Sequence, residues 1–148
     1  MHSAAIYLLK DRVLVHPWQR TAVGLGIASE PFVSLPVDAN PDTLGKAILT
    51  ALSHSGQTVP HPRSWKGLDT PRLKAAGVKS ERAFQSGTRS LSVERGAESF
   101  RIEPSRNGGT KGDTKGFEPL PERSILVASD ASAEKLGAAV RTGFERCA

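Results

Sequence analysis

The side chains that could do chemistry are few and dispersed. Histidine occurs at His2, His16, His54 and His61, and no pair has the His-x-x-x-His spacing that sets two imidazoles on one helical face around a metal. His61 stands between Pro60 and Pro62, close before Ser64. A base and a hydroxyl without an orienting third group do not make a nucleophile. His16 precedes Pro17-Trp18 at the end of an apolar run and reads as a packing residue. The one cysteine, Cys147, falls in what reads as a frayed C-terminal end, with nothing to depress its pKa. We therefore assign no catalytic residue, no cofactor and no metal ligand, and read the chain as not an enzyme. A reading with His61 and Ser64 as catalytic residues is the weakest of those retained.

The segment "RNGGTKGDTKGF", Arg106 to Phe117, combines Arg106, Lys111, Asp113 and Lys115 with four glycines. A phosphate cradle needs backbone N–H groups converging where a strand passes into a helix, with the order Gly-Lys-Ser/Thr. Here lysine precedes glycine, at Lys111-Gly112 and Lys115-Gly116, and the following "FEPLPERSILV" has prolines and a strand pattern. The dinucleotide fingerprint fails for the same reason. Asn107-Gly108 is a turn signal. The glycines permit positive φ in an excursion between strands, which either grips a partner or simply closes the sheet.

These groups need elements to position them, and the chain repeats its elements. "VSLPVDANPDTLGKAILTAL" (33–52) aligns without gaps to "ILVASDASAEKLGAAVRTGF" (125–144). Each predicts a short strand, a capping residue (Asn40 or Ser132) and an amphipathic helix. Gly45 and Gly137 recur inside the helices, where glycine costs about 1 kcal/mol against alanine. A close crossing of another element would account for both. Upstream, "AIYLLKDRVLVHP" predicts a hairpin turning at Lys10-Asp11, and "RSLSVERGAESFRIEP" one turning near Arg95-Gly96-Ala97, each with a strand ending at Pro17 or Pro104. Each half then has a loop or irregular strand before its last strand and helix. The expected fold is α+β. An antiparallel sheet is built from two pseudo-symmetric β-β-β-α halves, with two long helices packed together or on one side. Residues 1–148 form a single domain in this reading, with pseudo-repeats 4–55 and 88–147 and an insertion over 56–86. Within the insertion, Thr70-Pro71 opens a short helix stopped by Gly77, and Ser80 caps another through Phe84.

The net charge is +5, and all of it lies in the middle. Residues 1–59 carry four basic and four acidic groups, residues 96–148 eight and eight, and residues 60–95 eight against three. Such a patch attracts nucleic acid or an acidic partner, or is a solvated face. Trp65, between Arg63 and Lys66, is the best stacking candidate, so a single-stranded nucleic-acid-binding module is the alternative reading. No signal peptide pattern opens the chain, no window approaches a membrane span, and a lone cysteine suits a reducing compartment, so the expected location is cytoplasmic.

The stretches "HPWQRTAVGLGIASEP", "LKAAGVKSERAFQSGTRSLSVER" and "RNGGTKGDTKGFEPLPERSI", with the two Leu-Gly helices, resemble the immunity proteins of bacterial contact-dependent growth inhibition, the CdiI family. The likeness runs from the first hairpin to the last helix. It implies a small cytoplasmic protein that binds the C-terminal toxin domain of its cognate CdiA, a nuclease such as an RNase, and occludes its active site. It also implies a sheet core akin to Whirly-type nucleic-acid-binding domains. On that resemblance the expected toxin contacts are Trp18, Glu30, Trp65, Arg106, Lys111, Asp113, Lys115 and Glu118. A cover for a basic nuclease site should be acidic, whereas this chain is net basic. Either acidic contacts are local, drawn from residues such as Glu30, Asp38, Glu98, Glu103, Asp113, Glu118 and Glu122, or the toxin is not basic. Residues shared across a family cannot distinguish cognate pairs, so the 106–117 loop is also read as a frame element.

Overall fold

A computed structural model describes residues 2–148. The first hairpin forms from β1 (His2–Leu8) and β2 (Arg12–Thr21), turning at Lys10-Asp11. The second forms from β6 (Arg89–Arg95) and β7 (Ser99–Asn107). Antiparallel pairing of β1 with β6 joins them into one sheet. A shift of 87 residues carries the pair Ala4 and Pro17 onto Leu91 and Pro104. The same shift carries Ala5 onto Ser92, its own cross-strand partner. A pseudo-twofold axis therefore passes between those two residues.

Outer strands complete each half in the same way. β2 takes β4 (Val33–Pro36) beside its first residues and the short β3 (Gly26–Ala28) beside its last. β7 takes β9 (Ile125–Ala128) and the short β8 (Phe117–Pro119) likewise. Each half thus carries a short fourth strand, within the segment that reads as a loop or irregular strand in the sequence.

Two expectations are corrected here. The central strands run through Pro17 and Pro104 rather than ending there. Each proline falls where the outer partner changes, from β4 to β3 or from β9 to β8, so no ladder donor is required of it. Nor is the C-terminal end frayed. The Ala148 N–H donates to Ser105 O and the Asn107 N–H to Ala148 O. The chain therefore leaves the last helix along β7, much as β5 (Thr58–Val59) runs parallel to β2.

The long helices are α1 (Pro41–His54) and α4 (Ala133–Glu145). Asn40 Oδ1 accepts from the Thr43 N–H and Ser132 Oγ from the Lys135 N–H, satisfying donors that helix starts leave orphaned. The helices cross on one face of the sheet and enclose a core that includes Ile6, Val15, Ile48, Phe100, Val140 and Phe144. Their glycines mark the crossing. A Cβ on Gly45 would stand 1.8 Å from Ala133 O, and one on Gly137 would stand 1.9 Å from Pro41 O. Ala133 and Pro41 open the two helices, so each helix presents its glycine to the first turn of the other.

The opposite face is covered over one half only. Two short helices from the insertion, α2 (Thr70–Ala76) and α3 (Glu81–Gln85), lay Ala76 and Phe84 against Ala5, Tyr7, Leu9 and Leu14 of the first hairpin. The Arg12 guanidinium donates to Ala75 O at 3.1 Å and packs against Gly77, which ends α2 at φ 74°.

Candidate functional site

Strand alternation decides what the uncovered half shows. Val13, Val15, Leu91, Val93, Phe100 and Ile102 point to the long helices, so Ser90, Ser92, Glu94, Arg101, Glu103 and Ser105 point the other way. In the first half, the 87-residue shift places Tyr7 where Glu94 stands, Leu14 where Arg101 stands, His16 where Glu103 stands and Trp18 where Ser105 stands. One frame therefore carries an apolar, aromatic face under α2 and α3 and a polar face without helices, where Arg101 is exposed, Ser92, Glu94 and Glu103 are half-buried, and Ser90 and Ser105 are buried.

A groove runs along the border between these faces. Three adjoining depressions, of about 330, 330 and 300 Å³, all meet at Trp18. Tyr7 and Phe117 line two of them, and Trp65 and Leu68 form part of the wall next to α2. The floor is held by ring contacts. His16 lies 4.9 Å from Trp18, edge to face, and 5.2 Å from Phe32. Tyr7 lies 4.9 Å from Phe84 and 6.0 Å from Phe117. Such pairs contribute about 0.5–1.5 kcal/mol each beyond area burial.

His16 is the pivot of this floor. It is fully buried. Its Nδ1 stands 2.9 Å from Pro17 O, which can only accept, so Nδ1 carries the proton. Nε2, at 3.2 Å from the Tyr7 hydroxyl, then accepts from it. Burial pushes the imidazole pKa down to about 4, against the Pro17 carbonyl, which favours the cation. Burial also pushes the Tyr7 phenol up to about 12. Both groups are thus neutral near pH 7, and the pair is a structural bridge rather than an exchangeable acid and base.

Four carboxylates (Asp69, Glu81, Glu94, Glu103) and two guanidinium groups (Arg20, Arg72) line the groove. Arg72 pairs with Glu81 and sits 4.2 Å over the Phe84 ring. Glu103 pairs with Arg101 at 3.1 Å. Asp69 makes no capping bond, and among the described residues neither Asp69 nor Glu94 enters an ion pair.

The residues singled out from sequence fall in three places. Trp18 and Trp65 share a groove wall, Trp18 half-buried and Trp65 57% exposed. Glu30 lies elsewhere, beside Pro31, Phe32 and the outer side of α2. Arg106 and Glu118 pair with each other at 3.5 Å, on the side of β7 and β8 opposite Ser105 and Phe117. Lys111, Asp113 and Lys115 are exposed at the tip between β7 and β8. That tip is compact. The Gly108 N–H donates to Gly116 O at 2.8 Å, the Gly116 N–H donates to Gly109 O at 2.7 Å, and a Cβ on Gly108 would stand 1.5 Å from Thr114 O. Asn107 locks its base. Its amide donates to Gln85 O at 2.6 Å and Thr88 O at 2.8 Å, and its carbonyl accepts from the Gly109 N–H and Gln85 Nε2.

Sequence reasoning missed Tyr7, Asp69, Glu94 and Phe117 as groove residues. Aligning the two hairpins residue by residue was the available signal, since it exposes the aromatic-to-acidic differences between halves. His61 packs edge-on against Trp65 at 5.7 Å, while Ser64 Oγ accepts from the Lys66 N–H. The structure does not bring His61 and Ser64 into a hydrogen bond. Cys147 is half-buried. Its thiol, 3.4 Å from Ser90 O, is pushed up by burial. Among the described residues no group of three or more His, Cys, Asp or Glu is placed to hold a metal, and no helix is long and apolar enough to cross a membrane.

Three basic groups of 60–95 lie apart from one another. Arg72 enters the groove, Arg89 donates to Phe144 O at the end of α4, and Arg95 lies 5.3 Å over the Phe100 ring.

The family model described as CdiI, CDI immunity protein, matches residues 2–147. No curated protein matches the chain. Among solved structures, a Neisseria meningitidis protein of unknown function aligns with a TM-score of 0.74 at 20% identity, over 99% of this chain and 95% of that one. A chain of the CdiA-CT/CdiI toxin and immunity complex from Yersinia pseudotuberculosis aligns with a TM-score of 0.77 at 18% identity, over 99% and 97%. At these identities the likeness establishes a shared fold.

Proposed function

Because this chain belongs to the CDI immunity protein family, we propose that it binds the C-terminal toxin domain of a cognate CdiA protein and neutralises it by covering the active site. The toxin in this reading is a nuclease, an RNase by preference, and the immunity protein acts in the cytoplasm without chemistry of its own. The Yersinia structure of similar fold is a complex of toxin with immunity protein, which supports a protein partner. The observation that carries the reading here is the groove, where half-buried Trp18 and Phe117 and exposed Trp65 border a polar sheet face. Apolar surface of this kind is commonly kept for a partner. Trp18 and Trp65 are the proposed central contacts, because buried tryptophans dominate protein interfaces. The tip bearing Lys111, Asp113 and Lys115 is proposed as a peripheral contact.

Neutralisation demands nanomolar affinity or better, about 12 kcal/mol. Titration calorimetry against the cognate CdiA C-terminal domain is the direct test, with RNA cleavage by that domain followed in parallel. A 1:1 isotherm and loss of cleavage are expected. Absence of both heat and inhibition retires the reading. Single-stranded nucleic acid is the second reading, favoured by the exposure of Trp65 between Arg63 and Lys66. It requires retention of a mixed oligonucleotide on filters that falls steeply with salt.

A further inference from the structure

The groove also constrains the chemistry of what enters it. We infer that it receives a segment of the toxin domain bearing lysine or arginine, with the aliphatic stems lying on Trp18 and Phe117 and the cationic heads held by Glu94 and Asp69. This rests on the immunity reading and deepens it.

Charge comes first. The chain is +5 overall, yet the groove is lined by four carboxylates against two guanidinium groups. Arg72 satisfies Glu81, and Arg101 at the edge satisfies Glu103. Arg20 lies in the same depression as Glu94, but its guanidinium donates to Gly24 O at 3.2 Å. Glu94 and Asp69 are left without cations, in depressions that share Trp18 and Gly26.

Shape agrees with this assignment. Ser90, Ser92 and Ser105 line the open side with short side chains, which leaves room above the sheet. Ser105 Oγ is tied to Ser90 O. Solvation alone would explain serines and carboxylates. It does not explain why Trp18, Phe117 and the 57% exposed Trp65 border them. An aromatic surface next to unpaired carboxylates suits a long cationic side chain, whose stem is apolar and whose head is charged. It also resolves the charge paradox of a basic chain covering a basic nuclease site, because complementarity needs to hold only where the surfaces meet.

The test compares two charge reversals, with affinity for the cognate CdiA C-terminal domain measured by surface plasmon resonance. Glu94→Lys with Asp69→Lys should weaken binding at least about 100-fold, and wild-type association should slow as salt rises. Glu134→Lys with Glu145→Lys, exposed on α4 across the sheet from the groove, should leave affinity within about threefold. Should the first pair fail to fold, Glu94→Gln with Asp69→Asn is expected to cost at least about tenfold. Binding unchanged by the groove variants, or lost equally with the α4 variants, overturns the inference while the immunity function stands. If the wild-type chain does not bind the toxin domain, the underlying reading falls as well.

Discussion

At the scale of single residues, His16 carries the clearest pH dependence. Its folded pKa, about 4, lies below the ordinary 6.5, so the unfolded chain takes up the proton first. The stability it contributes is complete above about pH 6.5 and is lost as pH falls toward 4, by roughly 3 kcal/mol in all. Urea unfolding at pH 7 and pH 4.5 should show this loss, and His16→Gln should flatten the difference. An equal pH response in both proteins would remove His16 as the cause. Asn107 offers a second test. Asn107→Ala removes four hydrogen bonds at a half-buried hinge between α3 and the β7–β8 tip. A loss of about 2 kcal/mol in denaturant unfolding is expected, with faster amide exchange at Gly109 and Gly116. The surface pair Arg106–Glu118 should matter little, under about 1 kcal/mol, because both side chains are largely in water. His16 read as a packing residue from sequence and is one, because its proline neighbour and apolar strand are local facts. Its hydrogen bond to Tyr7 was not legible, since that depends on strand register.

At the scale of elements, the crossing of α1 and α4 is the point of least tolerance. Gly45→Ala gains about 1 kcal/mol of helix propensity but drives a Cβ to 1.8 Å from Ala133 O. The helices must separate, and overpacking of a tight core typically costs 1–3 kcal/mol or more. A net fall in Tm is expected for Gly45→Ala and, by the pseudo-twofold, a similar fall for Gly137→Ala. A rise in Tm for either would mean that the helices do not approach at those positions. This crossing was legible because the same costly residue recurs at matched positions of matched helices. Caps at Asn40, Ser80 and Ser132 were legible for a similar reason, since a cap engages a backbone donor three residues away. The passage of β2 and β7 through their prolines was not, because it depends on which outer strand stands beside each residue.

At the scale of the whole molecule, two matched halves become unlike because one insertion covers only the first. The uncovered border then presents Trp18, Trp65 and Phe117 together. Trp65→Ala should weaken toxin binding by at least about 2 kcal/mol, roughly 30-fold. It should change stability by less than about 0.5 kcal/mol, because the ring is already 57% exposed. Calorimetry and thermal melts on the same preparation separate these effects. A large drop in Tm with unchanged affinity would make Trp65 an anchor of the insertion instead of a contact. The two tryptophans were legible as candidates by residue type. Glu30 was named with them, but the fold sets it beside the outer side of α2, away from the groove.

The sequence by itself determined the duplicated strand and helix frame, the caps, the glycine crossing and the family likeness. Each of these is written in short-range periodicity or in motifs a few residues long. Only the tertiary structure decided which sheet face stays open and which side chains gather there. Arg12 reaches Ala75 O across 63 positions of chain, and Tyr7 meets Phe84 and Phe117 from distant segments. Contacts of that kind follow from how elements pack, and no local pattern encodes them.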